Sequence, residues 1–181
     1  VVPIWEYVFS NDEGNIVYLM NRCGYIRELD FYLFKNVLIK DNKPVVPDDN
    51  GIFWINDVGY KANSISDDES IPSLAPDGEF DVNLFLEYLG NTVDKDCPGQ
   101  GKALFAWILA IMFLEPIQEK YKLFPLLFFY GNRGSGKTTI MRWLTSFFGQ
   151  GGATKSLAAS SPIGVTRLLS YYASLPLVVD D

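Results

Sequence analysis

The sequence predicts an α/β fold, in which a small β-rich region precedes part of a parallel sheet. Three patterns in the 181 residues indicate this fold. Residues 1–65 alternate short apolar runs with turn-forming residues, which is typical of short strands. Further along, a continuous apolar run leads through a glycine-rich loop into residues with helical spacing. A second apolar run then ends on two adjacent aspartates.

The composition is that of a globular protein with a strongly uneven charge. Hydrophobic residues make up 48% of the chain and the formal net charge is −7. Residues 1–100 hold 7 Lys and Arg against 18 Asp and Glu, whereas residues 101–179 hold 8 against 2. The acidic first half argues against non-specific nucleic-acid binding there. The basic second half suits a polyanionic ligand, which nucleotide phosphates satisfy and which nucleic acid also permits.

The small number of cysteines, the absence of histidine and the length of the longest apolar run argue against several classes of protein. The two cysteines, Cys23 and Cys97, fit reduced thiols better than a disulfide scaffold, and the absence of histidine excludes His-dependent triads and zincins. The longest apolar run, Ala103 to Leu114, has 12 residues, whereas a bilayer span needs about 20. We therefore expect a cytoplasmic protein without membrane association. Because the chain starts at Val1 and stops on the second aspartate, we expect it to be part of a longer protein.

Three segments are predicted along the chain: a β-rich region at 1–65, a linker with a short helix at 66–101, and the first half of a nucleotide-binding core at 102–181. Asp81 is expected to cap the short helix. A very apolar helix is predicted from Lys102 to about Tyr121, with Pro116 ending its first part near Glu115. Predicted strands of the first segment are Ile4 to Phe9, Asn15 to Met20, Phe31 to Phe34, Val37 to Lys40, Val45 to Val46, Ile52 to Ile55 and Tyr60 to Ala62. Their aromatic side chains fit the core of a small sheet better than a base-stacking surface, given the acidic residues around them.

The glycine-rich loop matches the phosphate-binding P-loop motif of nucleoside triphosphatases. It reads Gly131-Asn132-Arg133-Gly134-Ser135-Gly136-Lys137-Thr138-Thr139. A buried strand is predicted before it at Phe124 to Tyr130, and a helix after it, ended by Gly149. Strand, loop and helix together are the context in which this motif carries meaning.

Each residue type in the loop has a chemical reason. Glycines let successive backbone N–H groups turn towards phosphate oxygens, and the following helix presents its positive dipole end to the same anion. Lys137 is predicted to reach the β- and γ-phosphates of ATP. The Thr138 hydroxyl is predicted to ligate Mg²⁺, and Thr139 to contact the α-phosphate.

The second motif is the apolar run from Pro176 to Val179, which predicts a buried strand ending at Asp180 and Asp181. An aspartate at the tip of a strand beside a P-loop can hold Mg²⁺, and a second carboxylate can activate the attacking water. We assign Asp180 to the metal and Asp181 to the water. Between the motifs, a weak strand is predicted at 153–158 and a helix that Ser161 and Pro162 open.

Residues 124–181 resemble the ATPase domain of phage, plasmid and viral primase-helicases, the superfamily 3 branch of the AAA+ class. The resemblance rests on the P-loop, on the spacing to the acidic strand, and on two aspartates rather than an Asp-Glu pair. It implies ATP hydrolysis by a DNA helicase, action on single-stranded or duplex DNA, and a homo-oligomeric ring, a hexamer. In such rings the sensor residue and the arginine finger follow the acidic strand. A chain ending at Asp181 is therefore expected to bind ATP yet hydrolyse little of it.

Two other functions remain open on the sequence. A P-loop kinase would need an acceptor site and an arginine-bearing lid. A nucleotide-dependent switch module would use bound ATP to set a conformation, with slow hydrolysis that DNA leaves unchanged. Three basic residues, Arg133, Arg142 and Arg167, could contact phosphate or DNA, but solvated surface positions fit them better.

Overall fold

The structure is a computed structural model that describes residues 5–10, 15–63, 71–75, 78–79, 81–95, 98–151, 155–156 and 161–180. For residues 5–10, 155–156 and 180 it describes the backbone only. The described chain is a mixed α/β structure whose first part is rich in strands, as the sequence predicts. The turn predicted at residues 11–14 lies outside the described residues.

In the described part of the N-terminal β region, eight short strands form. They are β1 (Trp5–Ser10), β2 (Ile16–Met20), β3 (Gly24–Ile26), β4 (Phe31–Leu33), β5 (Leu38–Lys40), β6 (Lys43–Val45), β7 (Phe53–Ile55) and β8 (Val58–Ala62). One sheet has the order β1-β2-β8-β7 and the other is the meander β3-β4-β5-β6. In the first sheet β2 and β8 run parallel, and its other pairs are antiparallel. The prediction missed β3, because Gly-Tyr-Ile is too short to show an alternating pattern.

The hydrophobic core of this region gathers side chains from both sheets. Its fully buried members are Met20, Ile26, Phe31, Leu33, Leu38 and Phe53. The rings of Tyr18 and Tyr60 pack against this core and stack on each other, with centroids 5.9 Å apart. Within the described residues, these aromatic side chains therefore build a sheet core, as the sequence favours over base stacking.

Five helices and two further strands follow. They are α1 (Val82–Thr92), α2 (Gln100–Met112), α3 (Leu114–Tyr121), α4 (Lys137–Ser146), β9 (Lys155–Ser156), α5 (Pro162–Tyr171) and β10 (Val179–Asp180). The Asp81 carboxylate accepts from the amides of Asn83 and Leu84, so the predicted cap of α1 is confirmed. Ser161 caps α5, with its hydroxyl 3.1 Å from the Gly164 amide, and Pro162 opens the helix as predicted.

The predicted apolar helix is broken into α2 and α3, which meet at an angle of 90°. The break falls at Phe113, two residues before the predicted position, and Pro116 lies in the first turn of α3. A proline is tolerated there because its missing N–H has no partner within the helix. In the described part of the chain, no single helix is long and apolar enough to cross a bilayer, although this bent pair reaches that length and apolarity together.

The chain forms two compact units. The first unit joins Val1–Pro76 to Arg133–Asp181, and the second unit is Asp77–Asn132. In the second unit, α1 and α2 pack together through Phe85 and Phe105, whose ring centroids are 5.1 Å apart. The first unit therefore contains both the N-terminal β region and the helices α4 and α5.

A buried hydrogen-bonded group joins the N-terminal β region to α5 within the first unit. The Cys23 thiol donates to the Tyr171 hydroxyl at 3.2 Å, and that hydroxyl donates to the Asn63 carbonyl at 2.8 Å. The Cys23 amide donates to the Tyr171 carbonyl at 2.8 Å. Cys23 is fully buried and Tyr171 is 2% exposed. These bonds fix the last turn of α5 against residues far away in sequence.

The Cys23 thiol predicts a pH dependence of stability. Burial raises the pKa of this thiol from 9.0 to about 12, and the hydrogen bond to Tyr171 offsets only part of that rise. Because the folded pKa is the higher one, the thiol's contribution is complete below the unfolded pKa of about 9 and is lost as the pH rises through about 12. Urea unfolding between pH 8 and pH 11 should therefore show a steeper loss of unfolding free energy in the wild type than in Cys23→Ala. Equal slopes in the two proteins would contradict the burial of this thiol.

Candidate functional site

The segment before the glycine-rich loop differs from its prediction. No strand forms at Phe124 to Tyr130 in the structure, and Leu126, Phe128 and Tyr130 are 95%, 83% and 93% exposed. Pro125 has no N–H to give to a strand ladder, and its carbonyl accepts from the Trp107 indole of α2 at 2.9 Å. The prediction of a buried strand is therefore wrong for this structure, because an apolar run becomes a buried strand only where neighbours cover both of its faces.

Two glycines of the loop have left-handed backbone conformations. Gly134 and Gly136 have φ of +81° and +82°, a region that side-chain-bearing residues rarely adopt. A Cβ atom at either position would meet no described atom within 4 Å. Among the described residues, the need for glycine there is thus conformational. Residues 131–136 are all exposed.

Helix α4 begins directly behind the loop. Gly136 is its N-cap and provides no side-chain acceptor for the first turn. The first-turn N–H groups of a helix have no acceptors within the helix, so this end favours an anionic ligand. The C-terminal end of α4 agrees with the sequence: Met141, Leu144 and Phe148 are buried, and Gly149 ends the helical turns with φ of +69°.

The predicted phosphate-binding side chains lie at the start of α4. The Lys137 ammonium donates to the Ser135 hydroxyl at 3.4 Å, so the lysine folds back towards the loop. Lys137 and Thr138 are half-buried, whereas Thr139 is exposed. The predicted loop residues Asn132 and Arg133 are exposed. Residues 133–139 belong to the first unit, and Gly131 and Asn132 to the second.

The predicted acidic strand is present in shortened form. β10 pairs in parallel with β9, placing Val179 beside Lys155 and Asp180 beside Ser156. Helix α5 connects these two strands, so they form the β-α-β unit that the sequence predicts here. Residues 176–178 lie outside the strand. Asp181 and the side chain of Asp180 lie outside the description, so their roles remain predictions.

The remaining predictions for the site concern metal ligands and three arginines. Among the described residues, no group of three or more His, Cys, Asp and Glu side chains is placed to hold a metal ion. Arg133, Arg142 and Arg167 are exposed, in agreement with solvated surface positions. The contacts of Gly149 with Ser73 and of Ser174 with Tyr25 carry no sequence signal, because the partners lie 76 and 149 positions apart.

No family model, curated protein or solved structure matches this chain.

Proposed function

We propose that the chain binds Mg²⁺-ATP at Gly131 to Thr139 and hydrolyses it as the ATPase of a helicase-type replication protein. One observation carries the binding part: two left-handed glycines, Gly134 and Gly136, stand directly before α4 while the Lys137 ammonium turns back towards the loop. This arrangement offers backbone N–H groups, a helix N-terminus and a cation to one anionic group.

The loop fits a triphosphate better than a single anion. Its exposed backbone runs over several residues, and no described atom lies within 4 Å of the Cβ positions of Gly134 and Gly136. Lys137 is a point charge on a flexible stem, suited to bridging two phosphate groups. One of its partners is the neutral Ser135 hydroxyl, which a phosphate oxygen would replace with a charge-assisted hydrogen bond.

The Mg²⁺ ion would be held by the Thr138 hydroxyl and Asp180. Bound there, it would neutralise negative charge on the triphosphate. The chain's own residues do the remaining work. Lys137 balances charge on the γ-phosphate, and Asp181 accepts a proton from the attacking water. The helicase assignment rests on the resemblance of residues 124–181 to primase-helicase ATPase domains, with single-stranded or duplex DNA and a hexameric ring as the implied partners.

Calorimetry and product analysis on the intact protein test this proposal. We expect ATP to bind only with Mg²⁺ present, ADP and free phosphate to form in equal amounts, and single-stranded DNA to raise the rate. Formation of ADP without free phosphate, together with transfer of a labelled phosphate to an acceptor, would indicate a kinase instead of a hydrolase. Slow turnover that DNA leaves unchanged would favour a nucleotide-dependent switch, and absence of Mg²⁺-ATP binding would end the proposal.

A further inference from the structure

Residues 71–75 form a strap across the N-terminal β region. The Lys35 amide donates to the Pro72 carbonyl at 2.7 Å. The Asn36 side chain makes two bonds with Leu74: its amide donates to the Leu74 carbonyl at 2.6 Å, and its oxygen accepts from the Leu74 amide at 3.0 Å. Pro72 is fully buried. The β4–β5 loop therefore holds the strap through three hydrogen bonds.

The other side of the strap holds the end of α4. The Ser73 amide donates to the Gly149 carbonyl at 2.9 Å. The approach is so close that a Cβ atom at Gly149 would lie 2.3 Å from the Ser73 carbonyl oxygen. Glycine is therefore required at 149 for contact as well as for its φ of +69°. The helix that begins at Lys137 is fixed at its far end to the N-terminal β region.

A second contact holds the end of α5. The Tyr25 amide of β3 donates to the Ser174 hydroxyl at 2.8 Å. A Cβ atom at Gly24 would lie 2.8 Å from the same hydroxyl oxygen, so β3 and Ser174 are in direct contact. Ser174 is 5% exposed and Leu175 is 8% exposed. Only residues 176–178 separate Leu175 from β10, which contains Asp180.

We propose that the N-terminal β region positions both nucleotide motifs, through Asn36 and Gly149 for the P-loop helix and through Ser174 for the acidic strand. This inference rests on the proposed function. Helix α4 has 10 residues and is a rigid rod of about 15 Å, so a tilt at Gly149 displaces Lys137. A displacement of about 1 Å costs up to about a hundredfold in rate when it moves reacting groups. Asn36, Gly149 and Ser174 are thus positioning residues, which touch neither phosphate nor metal.

The two contacts have separable consequences. The contact at Gly149 acts on the helix that carries Lys137, so its loss weakens binding of Mg²⁺-ATP. The contact at Ser174 acts on the strand that carries Asp180, so its loss lowers kcat while KM changes little. In this comparison kcat is expressed per nucleotide-binding site, counted from the calorimetric stoichiometry, because a general loss of stability lowers the fraction of binding-competent protein and with it the apparent kcat at unchanged KM.

Two glycines of the same region provide a matched pair for the first contact. Gly151 has φ of +61° and no described atom within 4 Å of its Cβ position, whereas a Cβ atom at Gly149 would meet the Ser73 backbone. Gly149→Ala and Gly151→Ala thus introduce similar backbone strain, and only the former also pushes the strap away. We expect Gly149→Ala to weaken Mg²⁺-ATP binding about tenfold by calorimetry, and Gly151→Ala to leave it within twofold. Without nucleotide, amide hydrogen exchange in the first turns of α4 should quicken only in Gly149→Ala.

Asn36→Ala removes the two hydrogen bonds to the strap without changing any residue of α4, so it replaces Gly149→Ala if that variant does not fold. It should also lower the affinity for Mg²⁺-ATP. Ser174→Ala should lower kcat about tenfold at unchanged KM. Its control is Ser170→Ala, which removes a hydroxyl whose partner among the described residues is the Thr166 carbonyl within α5, at 3.0 Å.

Three outcomes decide the inference. The expected split supports it. The inference is wrong, and the proposed function stands, if the wild type binds and hydrolyses Mg²⁺-ATP and the three variants have the same affinity, kcat and KM as the wild type and the two controls. The three variants are Asn36→Ala, Gly149→Ala and Ser174→Ala. If the wild type does not bind Mg²⁺-ATP, the proposed function fails first. The hydrogen-exchange comparison then still shows whether the strap fixes α4.

Discussion

Lys137→Ala is expected to lower the affinity for Mg²⁺-ATP by about 10- to 100-fold. A hydrogen bond to a charged group contributes about 1.5–3 kcal/mol, and each 1.4 kcal/mol is a tenfold change in the dissociation constant. The ammonium already lies beside the loop, bonded to Ser135, so little rearrangement is needed to meet a phosphate. Titration calorimetry with Mg²⁺-ATP measures the change directly.

The control for this experiment is Arg142→Ala, which removes one exposed positive charge from the same helix. Its affinity for Mg²⁺-ATP should stay close to that of the wild type. Equal affinities for wild type and Lys137→Ala would remove the nucleotide site from this loop. A comparable loss in both variants would mean that the net positive charge of α4 matters rather than the position of Lys137.

In the intact protein, Asp181→Asn is expected to leave Mg²⁺-ATP binding unchanged and to slow hydrolysis about 100- to 10,000-fold, the usual contribution of a general base. The sequence predicts both aspartates at a strand end, where successive side chains point to opposite faces, so we expect their roles to differ. Single-turnover measurements at saturating Mg²⁺-ATP isolate the chemical step from product release.

Asp180→Asn provides the comparison, because loss of a metal ligand should instead raise the Mg²⁺ concentration needed for half-maximal activity. Normal turnover in Asp181→Asn together with a defect in Asp180→Asn that excess Mg²⁺ does not repair would reverse the two roles. If both variants hydrolyse ATP normally, the acidic strand has no part in catalysis and the base lies elsewhere.

Features that depend on neighbouring residues were predicted well. The caps at Asp81 and Ser161 and the helix stop at Gly149 follow from groups within four residues of one another, and the structure shows all three. The left-handed glycines of the loop belong to the same class, because their requirement is a local backbone angle.

Features that depend on distant partners were not predictable. The apolar run from Phe124 to Tyr130 has the composition of a buried strand, yet its burial depends on whether other elements cover it, and in the structure Leu126, Phe128 and Tyr130 are exposed. The contacts of Gly149 with Ser73 and of Ser174 with Tyr25 also join residues from separate parts of the chain. The sequence predicts that Gly149 ends the helix, but it does not predict the contact with Ser73.

The division of the chain into units has a consequence for the order of folding. The first unit is discontinuous, because residues 77–132 separate its two parts. During synthesis Cys23 leaves the ribosome long before Tyr171, its hydrogen-bond partner 148 positions later. Contacts of such separation carry a high loop-closure entropy and form late. Cys23 therefore lacks this hydrogen-bond partner until α5 has been made. Apolar surface that is exposed before such long-range contacts form favours aggregation of a nascent chain.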